Sequence, residues 1–367
     1  MMASARQPWI RSAKFDLAWI LLPPFAALAL AAPFASAGET PPWAWAALVL
    51  GLDVGHVYAT LYRSYGDPAA RADRKLSAAM FLIPAAGWLA GAFCYALGER
   101  FFWTALAYLA VAHFIRQQYG FMRIYGRRDE GRWGRRLDSA LAYLCTVYPV
   151  LWWHAHLPRE FWWFLPGDFL SLPAWPAAAA GWAYLACAVA YAVKETRAFI
   201  QGRGNLPKTL LISGTALSWY CGIVAWNGDL AFTLCNVIAH AVPYYALVWD
   251  RIGKDAPRRA EASSATGTLA PYLRRLSVGF PGVLLFLAPL LLFAWCEEGL
   301  WDAWFWREHT RLFGAFAWLD PAGAGVRIWL APLLALPQIT HYLLDAFLWR
   351  LNPAEGRRLL DFTPEPS

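Results

Sequence analysis

Ten long apolar stretches set the plan of the chain, at roughly 15–33, 43–63, 77–97, 101–122, 138–156, 173–193, 207–226, 229–249, 276–296 and 326–349. Each holds about twenty residues, the length a helix needs to cross the hydrocarbon of a bilayer. The connections between them alternate in charge. Lys and Arg crowd the segment before the first stretch and then 63–75, 123–136, 194–208, 251–275 and 350–358. The intervening connections hold only Arg100, Arg159, Arg307, Arg311 and Arg327. Of the 32 basic residues, 26 fall on one side and 5 on the other, with Arg116 left inside a stretch. Basic loops stay in the cytoplasm. The pattern therefore predicts an all-α, polytopic transmembrane helical bundle of about ten spans, with both termini inside. One integral-membrane domain over 1–367 is expected, with a cytoplasmic linker at about 251–275 and outer aromatic loops at 157–172 and 297–325.

Composition agrees with lipid as the solvent. Apolar residues make up 59% and charged residues 16%, against about a quarter charged in soluble chains. A net charge of +7 would suggest nucleic acid in a soluble protein. Here it sits in the loops of one side, so anionic lipid headgroups are the expected partner, as for GRRDEGRWGRR at 126–136, and nucleic acid is not. Trp162 with Trp163, and Trp301, Trp304 and Trp306, suit the headgroup layer. Lys254–Thr268 is polar without an apolar period and is expected to be irregular. The six cysteines lie in or beside apolar segments without a CxxC spacing, and read as small buried hydrophobes. The first stretch runs on as a full span with no cleavage site, so no signal peptide is expected.

Four stretches break the apolar pattern with a histidine and a polar partner three or four residues away: Asp53 with His56, His113 with Gln117, Asn236 with His240, and His341 with Asp345. Such spacings put both residues on one helix face. Ionisable groups inside a span are costly and usually turn to a protein interior. All four stretches descend in the same direction in the predicted topology. From each histidine to the basic residue that closes its stretch there are seven, ten, eleven and nine residues, or roughly 10–17 Å at 1.5 Å per residue. The four histidines are thus expected at one depth, meeting in one polar site.

A metal is the chemistry that best fits these residue types. His56, His113, His240 and His341 are the candidate ligands, with Asp53 and Asp345 either as ligands or as carboxylates that hold imidazole N–H groups. Gln117 and Asn236 suit hydrogen bonding behind the ligands. Imidazole with carboxylate fits Fe, with Zn or Mn as alternatives, in a mononuclear or dinuclear site. The same residues also fit a proton or ion relay, or polar packing between helices. Tyr244, one turn after His240, is a candidate catalytic group as a ligand or proton donor. Arg116 is a second: it would bind a lipid phosphate or acidic substrate, pair with Asp53 or Asp345, or snorkel to the headgroups. Pro243 and Pro337 would open their helices locally, and Gly51, Gly55 and Gly120 would allow close helix approach. Tyr58, Tyr62, Tyr119, Tyr245 and Tyr342 read as inner-belt aromatics. His154, His156 and His309 read as residues of the outer interface, and Glu297 and Glu298 as solvated.

At His56, His113 and His240 the arrangement resembles the Brp/Blh family of bacterial membrane carotenoid oxygenases. HFIRQQYGFMRIY, HAVPYYALVW and THYLLDAFLWR also look like uncharacterised bacterial polytopic membrane proteins. The resemblance implies a helical bundle in a bacterial cytoplasmic membrane that holds non-haem iron through histidines. The family's third helix typically offers His-x3-His; Tyr244 stands at that spacing here, so His341 with Asp345 would supply the missing ligand.

Other membrane chemistries lack their motifs. There is no HExxH and no P-loop, and the histidine boxes of lipid desaturases are absent. The expected function is an integral-membrane metalloenzyme, a non-haem iron oxygenase or related oxidoreductase acting on a hydrophobic small molecule. A monooxygenase would need a separate electron donor. The alternatives are a proton-coupled transporter or channel, and a non-catalytic assembly or lipid-binding protein.

Overall fold

The computed structural model describes residues 7–36, 40–129, 131–157, 167–226, 228–263, 276 and 279–348. Among the described residues every regular element is helical. The helices are α1 (Ala13–Phe34), α2 (Pro42–Arg63), α3 (Arg74–Leu97), α4 (Glu99–Tyr125), α5 (Arg132–Ala155), α6 (Ala174–Ile200), α7 (Leu206–Trp219), α8 (Asp229–Ser263), α9 (Gly279–Trp306), α10 (Ala324–Leu334) and α11 (Leu336–Leu348). Each expected apolar stretch falls on one of them, the last on α10 and α11 together. Among the described residues, six helices are long and apolar enough to cross a membrane: α1, α2, α3, α6, α9 and the Asp229–Gly253 part of α8. Large apolar side chains such as Phe81, Trp175, Trp182 and Ile200 are exposed, as expected where the surroundings are hydrocarbon.

Local signals set the helix ends. Asp73 caps α3 by accepting from the backbone of Lys75 and Leu76, and Gly98, at φ 152°, ends it. The break at Ala335 between α10 and α11 comes two residues before Pro337, whose ring cannot continue the preceding turn. At Pro243 the helix runs on unbroken.

The chain divides into two compact units. One comprises Met1–Ala44, Ala110–Pro243 and Trp349–Ser367; the other comprises Trp45–Leu109 and Tyr244–Leu348. In the first unit α5 packs along α6, and α7 lies against α5 and α1. One end of this unit is tied by a buried ionic cluster. The ammonium of Lys208 lies 2.5 Å from Asp129, 2.9 Å from Asp138 and 2.9 Å from Glu195. Lys194 joins through Asp138 and Glu195. Asn205 donates to Asp129 and to the Tyr125 carbonyl, and the Tyr125 hydroxyl donates to Asp16. One lysine thus draws together groups at the ends of α4, α5, α6 and α7.

In the second unit α2 packs on α9 and α11, and α3 packs on α10 and α11. Its apolar core holds Tyr95, Phe102, Trp301, Ala331, Leu334, Ala335 and Ile339. Gly55 is needed where it stands: a Cβ there would meet the Tyr245 hydroxyl at 2.3 Å, and that hydroxyl is held by the Gly51 carbonyl.

Several expectations are corrected here. Around Gly120 no neighbour lies within 4 Å of a built Cβ, so it is not a point of close approach. The polar segment from Lys254 is helical through Ser263, because its Ala, Arg and Glu favour helix even without an apolar face to bury; residues 264–268 lie outside the described residues. The helix holding Glu297 and Glu298 continues to Trp306, so these carboxyls are inside it and not in a solvated loop. Glu297 is buried, and Glu298 partly so. Trp301, expected in the headgroup layer, belongs to the core instead. The Trp162–Trp163 run and the basic segment 350–358 lie outside the described residues.

Replacing Lys208 with Met would leave Asp129, Asp138 and Glu195 without their shared cation. Removing one partner of a buried ion cluster costs about 3–5 kcal/mol. Lys208→Met is therefore expected to lower the thermal unfolding midpoint of detergent-purified protein clearly, whereas the exposed Arg203→Met should not.

Candidate metal centre

His56, His113, His240 and His341 are all buried, and each offers a ring nitrogen within 4.8 Å of those of the others. Such a group could hold a metal ion. Its fitness rests on which nitrogen carries the lone pair, and that follows from the hydrogen bonds made by the opposite nitrogen.

In the first unit His113 and His240 stand edge to face, ring centres 5.0 Å apart. Phe114 stacks on His240 at 3.8 Å. The Gln117 amide donates to the His240 carbonyl at 3.1 Å. That fixes which end of the amide is oxygen, and Oε1 accepts from His240 Nδ1 at 2.9 Å. His240 therefore carries its proton on Nδ1 and keeps a lone pair on Nε2.

In the second unit His56 and His341 are also edge to face, at 4.9 Å. His56 Nδ1 donates to the Leu52 carbonyl, 3.1 Å away on its own helix. His341 Nδ1 lies 2.7 Å from Thr60 Oγ1. Thr60 in turn is 2.7 Å from the Tyr244 hydroxyl, which donates to Asp345 Oδ1 at 3.0 Å. A carbonyl can only accept, so His56 carries its proton on Nδ1; the Thr60 hydroxyl beside His341 can either donate or accept. Two of the four histidines, His56 and His240, thus carry the proton on Nδ1.

The supporting residues differ from expectation. Gln117 serves His240 on another helix and not His113 one turn away. Asn236, expected behind His240, donates to the Phe232 carbonyl of its own helix. Neither aspartate is among the grouped nitrogen donors. Asp53 Oδ1 is 4.0 Å from His56 Nδ1, too long for a hydrogen bond, and Asp345 Oδ2 is 3.8 Å from His341 Nδ1. Tyr244 is buried within the Thr60–Asp345 chain. Arg116 is exposed, outside the histidine group.

Sequence reading missed Thr60, although it lies one turn after His56. It also missed a second polar group in this unit: Glu297 accepts from Tyr58 at 2.6 Å and from Gln338. The remaining histidines lie outside this group. His154 and His156 bond the carbonyls of Val150 and Trp152, and His309 stacks on Trp45 at 4.0 Å. An apolar cavity of about 270 Å³ in the second unit is walled by Val57, Leu61, Pro84, Leu333, Leu336 and Pro337, and Thr60 and His341 supply polar parts of its wall.

Comparison with protein families, with curated proteins and with solved structures finds no match. The reading of the site rests on its own geometry.

Losing the partner of a ligating histidine typically weakens metal binding about 10–100-fold. Gln117→Leu should do so, while Asn236→Ala, which breaks only a bond within its own helix, should bind metal within about twofold of the parent. Metal titration of the two variants checks the contrast.

Proposed function

We propose that this protein is an integral-membrane metalloenzyme, a non-haem iron oxygenase or related oxidoreductase acting on a lipid-soluble substrate. The single observation that carries the reading is the buried group of four histidines. Its support is the pair of hydrogen bonds that keep the proton of His56 and His240 on Nδ1. An all-nitrogen set with carboxylates behind it suits iron or zinc better than manganese, which prefers oxygen. His56, His113, His240 and His341 would hold the ion. Iron, when bound, supplies the means to activate dioxygen.

The residues around the histidines provide the rest. The apolar cavity beside His341 receives the substrate, and its wall residues Leu61 and Leu333 are themselves exposed on the surface of the helices. Entry is therefore lateral, from the hydrocarbon, which keeps water away from reactive species. On this reading the protein sits in a bacterial cytoplasmic membrane as a bundle of about ten spans with both termini inside, an orientation that the charge asymmetry of the connections supports.

Elemental analysis of purified protein tests the reading. Iron or zinc near one ion per chain is expected, with at least tenfold less in His56→Ala and His341→Ala. A metal-free protein with its helices intact, unable to take up added iron or zinc, would count decisively against it.

A second reading draws on Glu297. A carboxyl buried in an apolar helix and held by Tyr58 and Gln338 suits a proton-coupled transporter. It requires proton flux into proteoliposomes that Glu297→Gln or Asp53→Asn abolishes. The metalloenzyme reading expects no such flux from either the parent or the variants.

A further inference from the structure

His341 can offer Nε2 to a metal only while its proton sits on Nδ1. The partner of Nδ1 decides this, and that partner is the Thr60 hydroxyl at 2.7 Å. A threonine hydroxyl is ambiguous, since it can donate as readily as accept. If Thr60 donated, the imidazole proton would move to Nε2 and the ligand would be lost.

The ambiguity is resolved two groups away. The Tyr244 hydroxyl has one hydrogen, and it is given to Asp345 Oδ1 at 3.0 Å. An ionised carboxylate can only accept. Towards Thr60, 2.7 Å away, Tyr244 can then only accept as well. That takes the Thr60 hydrogen and leaves a Thr60 lone pair for His341 Nδ1–H. Every bond in the series points one way, from imidazole to threonine to tyrosine to carboxylate. Thr60, Tyr244 and His341 are 4% exposed or less, so bulk water does not compete for these hydrogens.

We propose that Tyr244, anchored by Asp345 and acting through Thr60, is the positioning residue that fixes the tautomer of His341 for metal binding. The inference rests on the metal-centre reading above. It gives Tyr244 a role at the ligand without contact to the ion or the substrate.

The test is a titration of metal-stripped, detergent-purified protein with ferrous iron under anaerobic conditions, with bound metal and thermal unfolding as readouts. Tyr244→Phe frees the Thr60 hydrogen to turn towards Nδ1, and apparent affinity should fall about 10–100-fold. Thr60→Val should cost less, because Asp345 Oδ2, now 3.8 Å from His341 Nδ1, can take over that N–H. The double variant Thr60→Val/Tyr244→Phe, lacking the misdirected donor, should match Thr60→Val and so bind more tightly than Tyr244→Phe alone. A merely structural tyrosine would give no such rescue.

The proposal is overturned if the parent binds iron and Tyr244→Phe binds it equally well, or if the double variant is no better than Tyr244→Phe. A parent that binds no metal overturns the metal-centre reading and this inference with it. If Tyr244→Phe does not fold, Asp345 probes the other end. Asp345→Asn keeps an acceptor for Tyr244 and should bind more tightly than Asp345→Leu, which should show the tyrosine-variant loss. Equal binding by those two variants overturns the proposal.

Discussion

Hydrocarbon offers no hydrogen bonds, so every polar atom buried within a membrane helix needs its partner from the chain itself. An imidazole makes that demand twice, once at each nitrogen. The structure answers one half of it by three different devices. His56 uses a carbonyl of its own helix, His240 uses an amide on α4, and His341 uses a hydroxyl on α2. The devices share no sequence pattern, yet each withdraws Nδ1 and leaves Nε2 available. The geometry of the site follows from the satisfaction of these nitrogens, more than from the histidines' positions along their helices.

Buried charge is handled differently in the two units. In the first, Lys208 and Lys194 meet three carboxylates in a compact ionic knot. Such clusters recover little net energy over an apolar substitute, because desolvation opposes the attraction. Their consequence is geometric, since every member is fixed by several others. In the second unit neutral donors meet two of the carboxylates, Tyr58 and Gln338 at Glu297, and Tyr244 at Asp345. The first arrangement braces helix ends. The second keeps acceptors beside the helices that carry His56 and His341.

What could be read from the chain, and what could not, divides along the same line. The apolar stretches were legible as helices, six of them among the described residues long and apolar enough to cross a membrane, because hydrocarbon imposes a length, and the break before α11 because Pro337 removes a donor. The four histidines were legible because spacing along a helix reports depth. The partners were not, since spacing along one helix says nothing of which neighbour packs against it. Gln117 looked like the companion of His113 and belongs to His240. Asn236 looked like the companion of His240 and turns to its own backbone. Glu297 looked like the solvated end of a helix because α9 continues further than its hydropathy suggests. Thr60 was overlooked because threonine is unremarkable within a span until a neighbour gives its hydroxyl a direction.

The same divide bears on why Asp345 stands behind His341 rather than among the nitrogen donors. Four neutral imidazoles leave a divalent ion with its full charge in surroundings of low polarizability, where an uncompensated charge is costly. A carboxylate ligand would reduce that cost but occupy a coordination position. Asp345 avoids the conflict by acting through Tyr244 and Thr60: its negative charge polarises the series of hydrogen bonds towards His341 and makes Nε2 a stronger donor. Gln117 on His240 supplies orientation without charge. The supports are therefore unequal, with a charged series behind His341 and a neutral amide behind His240. An ion held by these residues would feel that difference, since a more basic imidazole binds more strongly and carries more of the positive charge.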